Sequence, residues 1–191
     1  MRIVGGSLGG RVLRTPAGAD TRPTTDKVRQ ALFNILGSVE GIHVLDLFAG
    51  SGALGIEALS RGATHATFFD LAKPAISAVR ANLRDLEIED RATVVAGDSV
   101  ALAARHAPRS PWGLVFVDPP YRSDLATRAV LALPPQNLAP GVVIVIEHDR
   151  RNVPPESLGS LVRTDQRRYG DSLVSFYSES PRRKVRVVEP T

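Results

Sequence analysis

At 191 residues the chain is long enough for one domain with a full core and at most a small appendage. It has no Cys, which excludes disulfides and Cys-bound zinc, and its four His (His43, His65, His106, His148) are scattered without metal-ligand spacing, so no metal site is expected. No apolar run approaches the ~20 residues of a membrane span, and Met1-Arg2-Ile3-Val4-Gly5-Gly6 lacks the apolar stretch of a signal peptide. A cytoplasmic protein without membrane contact is expected.

The net charge of +4 is unevenly spread. Residues 1–29 hold six basic and two acidic side chains, residues 30–149 nine and thirteen, and residues 150–191 nine and five. Two basic ends therefore flank an acidic middle, which suggests a polyanion docked by the termini.

Taken in chain order, Arg2–Val4 and Arg11–Arg14 flank a Gly-rich stretch and predict a small N-terminal β-hairpin. Residues 1–22, carrying Arg2, Arg11, Arg14 and Arg22, are expected to dock the polyanion and to add little to the core. The competing reading packs the hairpin on the sheet through Ile3, Val4, Val12 and Leu13. Thr24–Val39 predicts a helix capped by Thr24 or Thr25, with Val28, Leu32, Ile35 and Leu36 as its apolar face. Ile42–Phe48, Ala66–Asp70, Thr93–Ala96, Leu114–Asp118 and Val142–His148 predict strands. Helical stretches lie between them at 53–61, closed by Gly62, and at 73–86. Strands alternating with helices predict an α/β fold, a mostly parallel doubly wound sheet with ligands at the carboxyl ends of its strands. Arg167–Gly170 and Leu173–Ser178 predict an antiparallel C-terminal hairpin. The expected organisation is a basic extension over 1–22, one domain over 23–180 that includes the first helix, and a basic tail over 181–191.

Asp46-Leu47-Phe48-Ala49-Gly50-Ser51-Gly52-Ala53-Leu54-Gly55 follows the first strand and opens a helix. Gly50 to Gly55 matches the dinucleotide fingerprint G-x-G-x-x-G, and Asp70 stands 20 residues after Gly50, where that fingerprint places an acid for ribose hydroxyls. The pattern alone fits a nicotinamide enzyme as well as a methyltransferase. Asp46 favours the second, because a carboxylate beside the loop would oppose a pyrophosphate but suits a ligand with a sulfonium and an ammonium, as in S-adenosylmethionine. Asp98 closes the third strand, followed by Ser99. It would face the adenine, or else cap the next helix.

Asp118-Pro119-Pro120-Tyr121 ends the fourth strand. Two prolines make a stiff loop with fixed carbonyl directions. The Asp118 carboxylate and the Pro119 carbonyl can each accept one N–H of an exocyclic amine, and Tyr121 can stack on the base that carries it.

These residues resemble the [D/N]-P-P-[Y/F/W] motif of amino-methyltransferases, which act on adenine N6, guanine N2 or protein glutamine. Arg2-Ile3-Val4-Gly5-Gly6, Gly10-Arg11, Arg22-Pro23-Thr24-Thr25-Asp26-Lys27-Val28-Arg29, Leu32-Phe33-Asn34 and Arg168-Tyr169-Gly170-Asp171 narrow the resemblance to the RsmD family, whose members methylate guanine N2 in 16S ribosomal RNA. The resemblance implies a Rossmann-like class I methyltransferase fold, S-adenosyl-L-methionine as cofactor, and 16S rRNA as partner, within the small ribosomal subunit or an assembly intermediate, for a monomeric enzyme. It implies that Asp46, Phe48, Gly50, Ser51 and Gly52 hold the methionine part of the cofactor, Asp70 the ribose, and Asp98 with Ser99 the adenine. Asp118, Pro119, Pro120 and Tyr121 would hold the target guanine, with Arg22 to Thr25 near the RNA. One departure is Ala72, where relatives often carry a second acid. Three rivals remain open at this point. They are an adenine-N6 methyltransferase, a nicotinamide oxidoreductase that leaves Asp46 and Asp118–Tyr121 unexplained, and a non-catalytic rRNA-binding assembly module.

Overall fold

The computed structural model describes residues 1–16, 26–120 and 124–179. Thr24 and Thr25, Arg22, Tyr121 and the basic tail lie outside the described residues. The helices are α1 (Asp26–Leu36), α2 (Ala53–Ser60), α3 (Lys73–Asp85), α4 (Ser99–Arg105) and α5 (Leu125–Ala132). The strands are β1 (His43–Leu47), β2 (His65–Asp70), β3 (Ala92–Ala96), β4 (Trp112–Val117), β5 (Leu138–Asp149), β6 (Ser157–Leu158), β7 (Leu161–Tyr169) and β8 (Ser172–Ser178).

The strands form one sheet in the order β3-β2-β1-β4-β5-β8-β7-β6. The first five are parallel, and β5–β8, β8–β7 and β7–β6 are antiparallel. The expected doubly wound sheet with a closing C-terminal hairpin is what forms. The chain order reverses between β1 and β4, and crevices at such switch points take ligands at the carboxyl ends of the strands.

Strand alternation divides the core in two. Val44, Phe68, Phe116 and Val145 face one layer with α1, α2 and α3. Leu45, Leu47, Val117 and Ile146 face the other with α4 and α5. α2 lies unusually close to β2. A Cβ on Gly55 would stand 2.4 Å from the Phe68 ring, so only glycine fits this crossing.

The helix foreseen over 24–39 ends at Leu36, where the Gly37 N–H closes on the Phe33 carbonyl at 3.0 Å. β5 starts at Leu138 rather than Val142, and β7 starts at Leu161 rather than Arg167. α5 has no counterpart among the expected elements.

The N-terminal segment departs most from expectation. The hairpin reduces to one antiparallel bridge, Arg2 with Val12, around a glycine turn. The turn packs on the end of α2 away from the glycine loop. Ser7 N–H donates to the Ser60 carbonyl at 2.7 Å, and a Cβ on Gly6 would stand 1.9 Å from that same oxygen. Ile3 and Leu13 are buried in the α1–α3 core layer, while Val12 is 63% exposed. The expectation that this segment adds little to the core is therefore corrected: its charge did not reveal that Ile3 and Leu13 are core residues.

A buried ion cluster fixes the arrangement. Glu57 of α2 and Arg29 of α1 are both fully buried, with Arg29 Nε 3.7 Å from Glu57 Oε2. Glu57 also accepts the Val4 N–H at 2.7 Å and pairs with Arg61 at 2.7 Å. Arg29 donates to the Arg2 carbonyl and pairs with Asp26 at 2.9 Å. Arg61 in turn lies over the Phe33 ring, 4.8 Å from its centroid.

Two consequences are measurable by urea denaturation. Glu57→Ala leaves the buried Arg29 guanidinium with Asp26 alone and the Val4 N–H without its acceptor, and is expected to cost about 3–5 kcal/mol. Ile3→Ala and Leu13→Ala are each expected to cost about 2–5 kcal/mol. Unchanged midpoints in the last two variants would show that the segment is peripheral after all.

Candidate functional site

The site is built at the carboxyl ends of β1, β2 and β4. β1 ends in a turn that requires φ of 64° at Phe48, a left-handed conformation costly for a bulky side chain and held only by its surroundings. The neighbouring strand holds it. Ala49 N–H donates to the Phe69 carbonyl at 2.9 Å, and Gly50 N–H to Asp70 Oδ2 at 2.8 Å. From α3, the buried Asn82 donates to the Ser51 carbonyl at 2.9 Å. Nothing lies within 4 Å of where a Cβ on Gly50 would point, so the backbone there is open to a ligand.

Asp46 sits beneath this loop, 2% exposed, and accepts the Gly55 N–H at 3.0 Å at the start of α2. Burial pushes its carboxyl up to about 8, the Gly55 hydrogen bond opposes this, and nearby Asp70 adds to the rise. Asp70 uses both oxygens on backbone, Oδ2 on Gly50 and Oδ1 on Ala72 at 2.8 Å, and each oxygen retains a lone pair. Asp98 is exposed and caps α4, accepting the Ala101 N–H at 2.8 Å. The cap engages only Oδ1 and so is compatible with the adenine reading as well. Next to it, the Ser99 hydroxyl at the start of α4 is buried without a hydrogen-bond partner, and a buried unpaired hydroxyl invites a ligand atom.

Asp118 and Glu147 line a small cavity of about 10 Å³, room for roughly one water, with Val28, Leu32, Leu54, Val117, Val145 and Val174. α1 and α2 form its roof, and β4, β5 and β8 its floor. The Asp118 carboxyl is raised well above the usual carboxylate range, first by desolvation and then by the charges of Glu147 and Asp46. The structure thus brings together Asp46, Phe48, Gly50, Ser51, Gly52, Asp70, Asp118 and Pro119 at one end of the sheet, with Asp98 and Ser99 following β3. The side chains of Arg2, Arg11 and Arg14 are engaged elsewhere. Arg11 donates to the Asp85 carbonyl at 3.0 Å, Arg14 pairs with Asp85 at 2.7 Å, and Arg2 donates to the Gly10 carbonyl at 3.2 Å. Among the described residues, no group of three acids or histidines can hold a metal, and no helix is long and apolar enough to cross a membrane.

Sequence reading missed Glu147, Asn82 and the apolar roof of the cavity. Glu147 left one signal, a carboxylate ending the apolar run Val142–Ile146.

Comparisons with known proteins agree with this geometry. Residues 1–178 match the model of a family described as Conserved hypothetical protein 95. A Bacillus subtilis protein named as a candidate rRNA methyltransferase, YlbH, is 44% identical over 183 residues, covering 94% of this chain and 99% of its own. Ribosomal RNA small subunit methyltransferase D of Escherichia coli K12 is 39% identical over 154 residues, covering 80% of this chain and 76% of its own. Among solved structures, a candidate methyltransferase of Escherichia coli, yhhF, superposes with a TM-score of 0.80 at 34% identity, covering 93% of this chain and 97% of that one.

The buried acid beneath the loop has a measurable signature. A folded-state value near 8 for Asp46 lies far above its unfolded value, so stability is lost as pH rises from about 4 to about 8 and levels off above that. Asp46→Asn keeps an acceptor for the Gly55 N–H without the charge. It is expected to match wild type near pH 4 and to melt higher above pH 8. Parallel melting curves across this range would show that Asp46 is not protonated by burial.

Proposed function

The chain belongs to the Conserved hypothetical protein 95 family, the RsmD family that its motifs resemble, and we propose that it transfers a methyl group from S-adenosylmethionine to the exocyclic N2 of a guanine in 16S rRNA. The observation that carries this reading is the stiff Asp118-Pro119-Pro120 loop, opening beside a roofed cavity at the switch point where the glycine loop also ends.

The residues present fit the cofactor. The open backbone at Gly50, the orphaned Ser99 hydroxyl and the buried acid beneath the loop match a ligand with a methionine backbone, an adenosine and a positive charge. A positive charge on the ligand favours the ionised form of Asp46 whereas a pyrophosphate gains nothing from it, which disfavours the nicotinamide reading. In the proposed site Asp46, Phe48, Gly50, Ser51 and Gly52 hold the methionine part. Asp70 accepts from the ribose hydroxyls with its remaining lone pairs, and Asp98 and Ser99 meet the adenine. When bound, the cofactor supplies an electrophilic methyl group on a sulfonium.

On the substrate side, Asp118 and the Pro119 carbonyl accept the two N2 hydrogens and orient the amine, Pro120 stiffens the loop, and Tyr121 stacks on the base. N2 gains the methyl carbon and loses one proton, which passes to the Asp118 carboxylate. Its raised affinity for protons suits it to that role. Positioning and electrostatics supply much of the rate. The guanine must be unpaired or drawn out of its stack.

For the rest of the chain, 23–180 is the catalytic domain in this reading. Residues 1–22 both complete the core and present Arg2, Arg11, Arg14 and Arg22 to rRNA phosphates, and the 181–191 tail adds basic charge. Arg11 and Arg14 are exposed, Arg11 on the Asp85 carbonyl and Arg14 in a surface ion pair with the Asp85 carboxylate, so phosphate competes with only weak surface contacts there. The proposed setting is a cytoplasmic monomer acting on the small ribosomal subunit or an assembly intermediate.

The deciding experiment is mapping N2-methylguanine in 16S rRNA from a deletion strain. Absence of any lost modification overturns the function. Asp118→Asn is expected to lower turnover by roughly 10²–10⁴-fold with cofactor affinity little changed. The wild-type rate should rise with pH, because below the raised Asp118 value the carboxyl is protonated and cannot accept. Titration calorimetry with a tritium-transfer assay separates the two effects, and near-wild-type turnover of the variant rules out the assigned role. Asp70→Ala is expected to weaken cofactor binding about tenfold or more through lost charged hydrogen bonds, and wild-type affinity would place ribose recognition elsewhere.

A further inference from the structure

The glycine loop is fastened from outside by a side chain that belongs to no motif. Asn82 lies on α3 and is 1% exposed. Its Oδ1 accepts the Arg14 N–H at 2.7 Å, while its Nδ2 donates to the Arg14 carbonyl at 3.0 Å and to the Ser51 carbonyl at 2.9 Å. Both amide hydrogens are therefore spent on carbonyls. The orientation of the amide follows from its partners, since a flipped amide would set its oxygen against two acceptors and its nitrogen against a donor.

Receiving from the N–H and giving to the C=O of one residue copies the pairing of a neighbouring strand. α3 thus holds the second arm of the N-terminal segment by its backbone rather than by a side chain. That arm is joined to the first, with Leu13 N–H donating to the Met1 carbonyl at 3.0 Å. Met1 in turn reaches the loop, where the Ser51 hydroxyl donates to Met1 Sδ at 3.6 Å. Ser51 stands between Gly50 at φ 56° and Gly52 at φ 77°. Two flanking glycines leave a peptide free to reorient, and ordering it costs more entropy than at other residues. The order that the glycines do not supply comes from Asn82 on the Ser51 carbonyl and Met1 on its hydroxyl.

We propose that Asn82 is a positioning residue that makes the N-terminal segment part of the cofactor site. By holding the Ser51 carbonyl between two glycines it presets the loop for S-adenosylmethionine, and by holding the Arg14 backbone it makes that shape depend on residues 1–14. This rests on the glycine loop holding the cofactor. A loop ordered before binding loses less entropy when the ligand arrives, so the contribution of Asn82 falls on cofactor affinity and not on the methyl-transfer step once the site is filled.

The test combines calorimetry with S-adenosylmethionine and tritium transfer to small subunits from the deletion strain, at a temperature where circular dichroism shows every variant folded. Asn82→Asp keeps the size of the side chain and the acceptor for the Arg14 N–H, but sets a carboxylate oxygen against the Ser51 and Arg14 carbonyls. It is expected to raise Kd and KM for the cofactor about tenfold or more, with kcat at saturating cofactor nearly unchanged. Arg14→Pro removes the N–H at the other end of the link and should weaken cofactor binding about threefold or more. Arg14→Ala keeps both backbone groups and should bind cofactor like wild type. Leu133→Ala, buried in the α4–α5 core layer, lowers stability without touching the link and should also keep wild-type affinity. Unchanged cofactor affinity in Asn82→Asp or in Arg14→Pro overturns the proposal. So does a loss in Leu133→Ala as large as that in Asn82→Asp, or a fall in kcat with KM unchanged. Failure of wild type to bind S-adenosylmethionine at all overturns the underlying cofactor reading instead, so the two failures are distinct.

Discussion

Glu57 is the residue on which the arrangement around the site depends. Its carboxylate is fully buried, and only a dense set of donors makes that tolerable. Val4 in the N-terminal turn and Arg61 at the end of α2 donate to it, and the Arg29 guanidinium on α1 adds its charge from 3.7 Å. One charge therefore fastens the first residues of the chain and the first helix to the sheet. Because α1 supplies Val28 and Leu32 to the roof of the cavity beside Asp118, the height of that roof is set at a distance, by an ion cluster that touches no ligand.

The site itself concentrates features that folding alone would avoid. Phe48 holds a left-handed backbone, and Asp46 and Asp118 are desolvated near one another. Such local violations are expected where function sets the requirement rather than stability. They are held by ordinary means, backbone hydrogen bonds from β2, the Asn82 side chain, and the tight Gly55–Phe68 crossing. A cationic cofactor would bring a positive charge to these buried acids.

Much of this was legible in the sequence because the signals were local. The period-two runs of Val, Ile and Phe marked β1 to β5, and Gly50 to Gly55 and Asp118 to Pro120 fell at strand ends where the chemistry belongs. What was missed depends on contacts distant in sequence. Arg2, Arg11 and Arg14 gave the N-terminal segment a basic, surface-like character. Whether Ile3 and Leu13 enter the core depends on partners more than fifty residues away, such as Glu57 and Ser60. Asp85 answers Arg14 across 71 residues. Glu147 ends an apolar run with no motif around it, and only the parallel register with β4 places it beside Asp118.

The sheet order has a consequence for how the molecule is made. β8 is the final strand among the described residues, yet it lies inside the sheet, between β5 and β7. During synthesis β5 emerges first, then β6 and β7, which have no place beside β5 until β8 arrives to separate them. The outer edge of β5, with its run of apolar residues and unpaired backbone groups, therefore stays open until β8 has been made. An open apolar edge is an aggregation hazard, and it lasts longest in a nascent chain that pauses before Ser172. Glu147 lies on this same strand and pairs with Val174 of β8, so the cavity wall it forms is completed only when that last strand is in place.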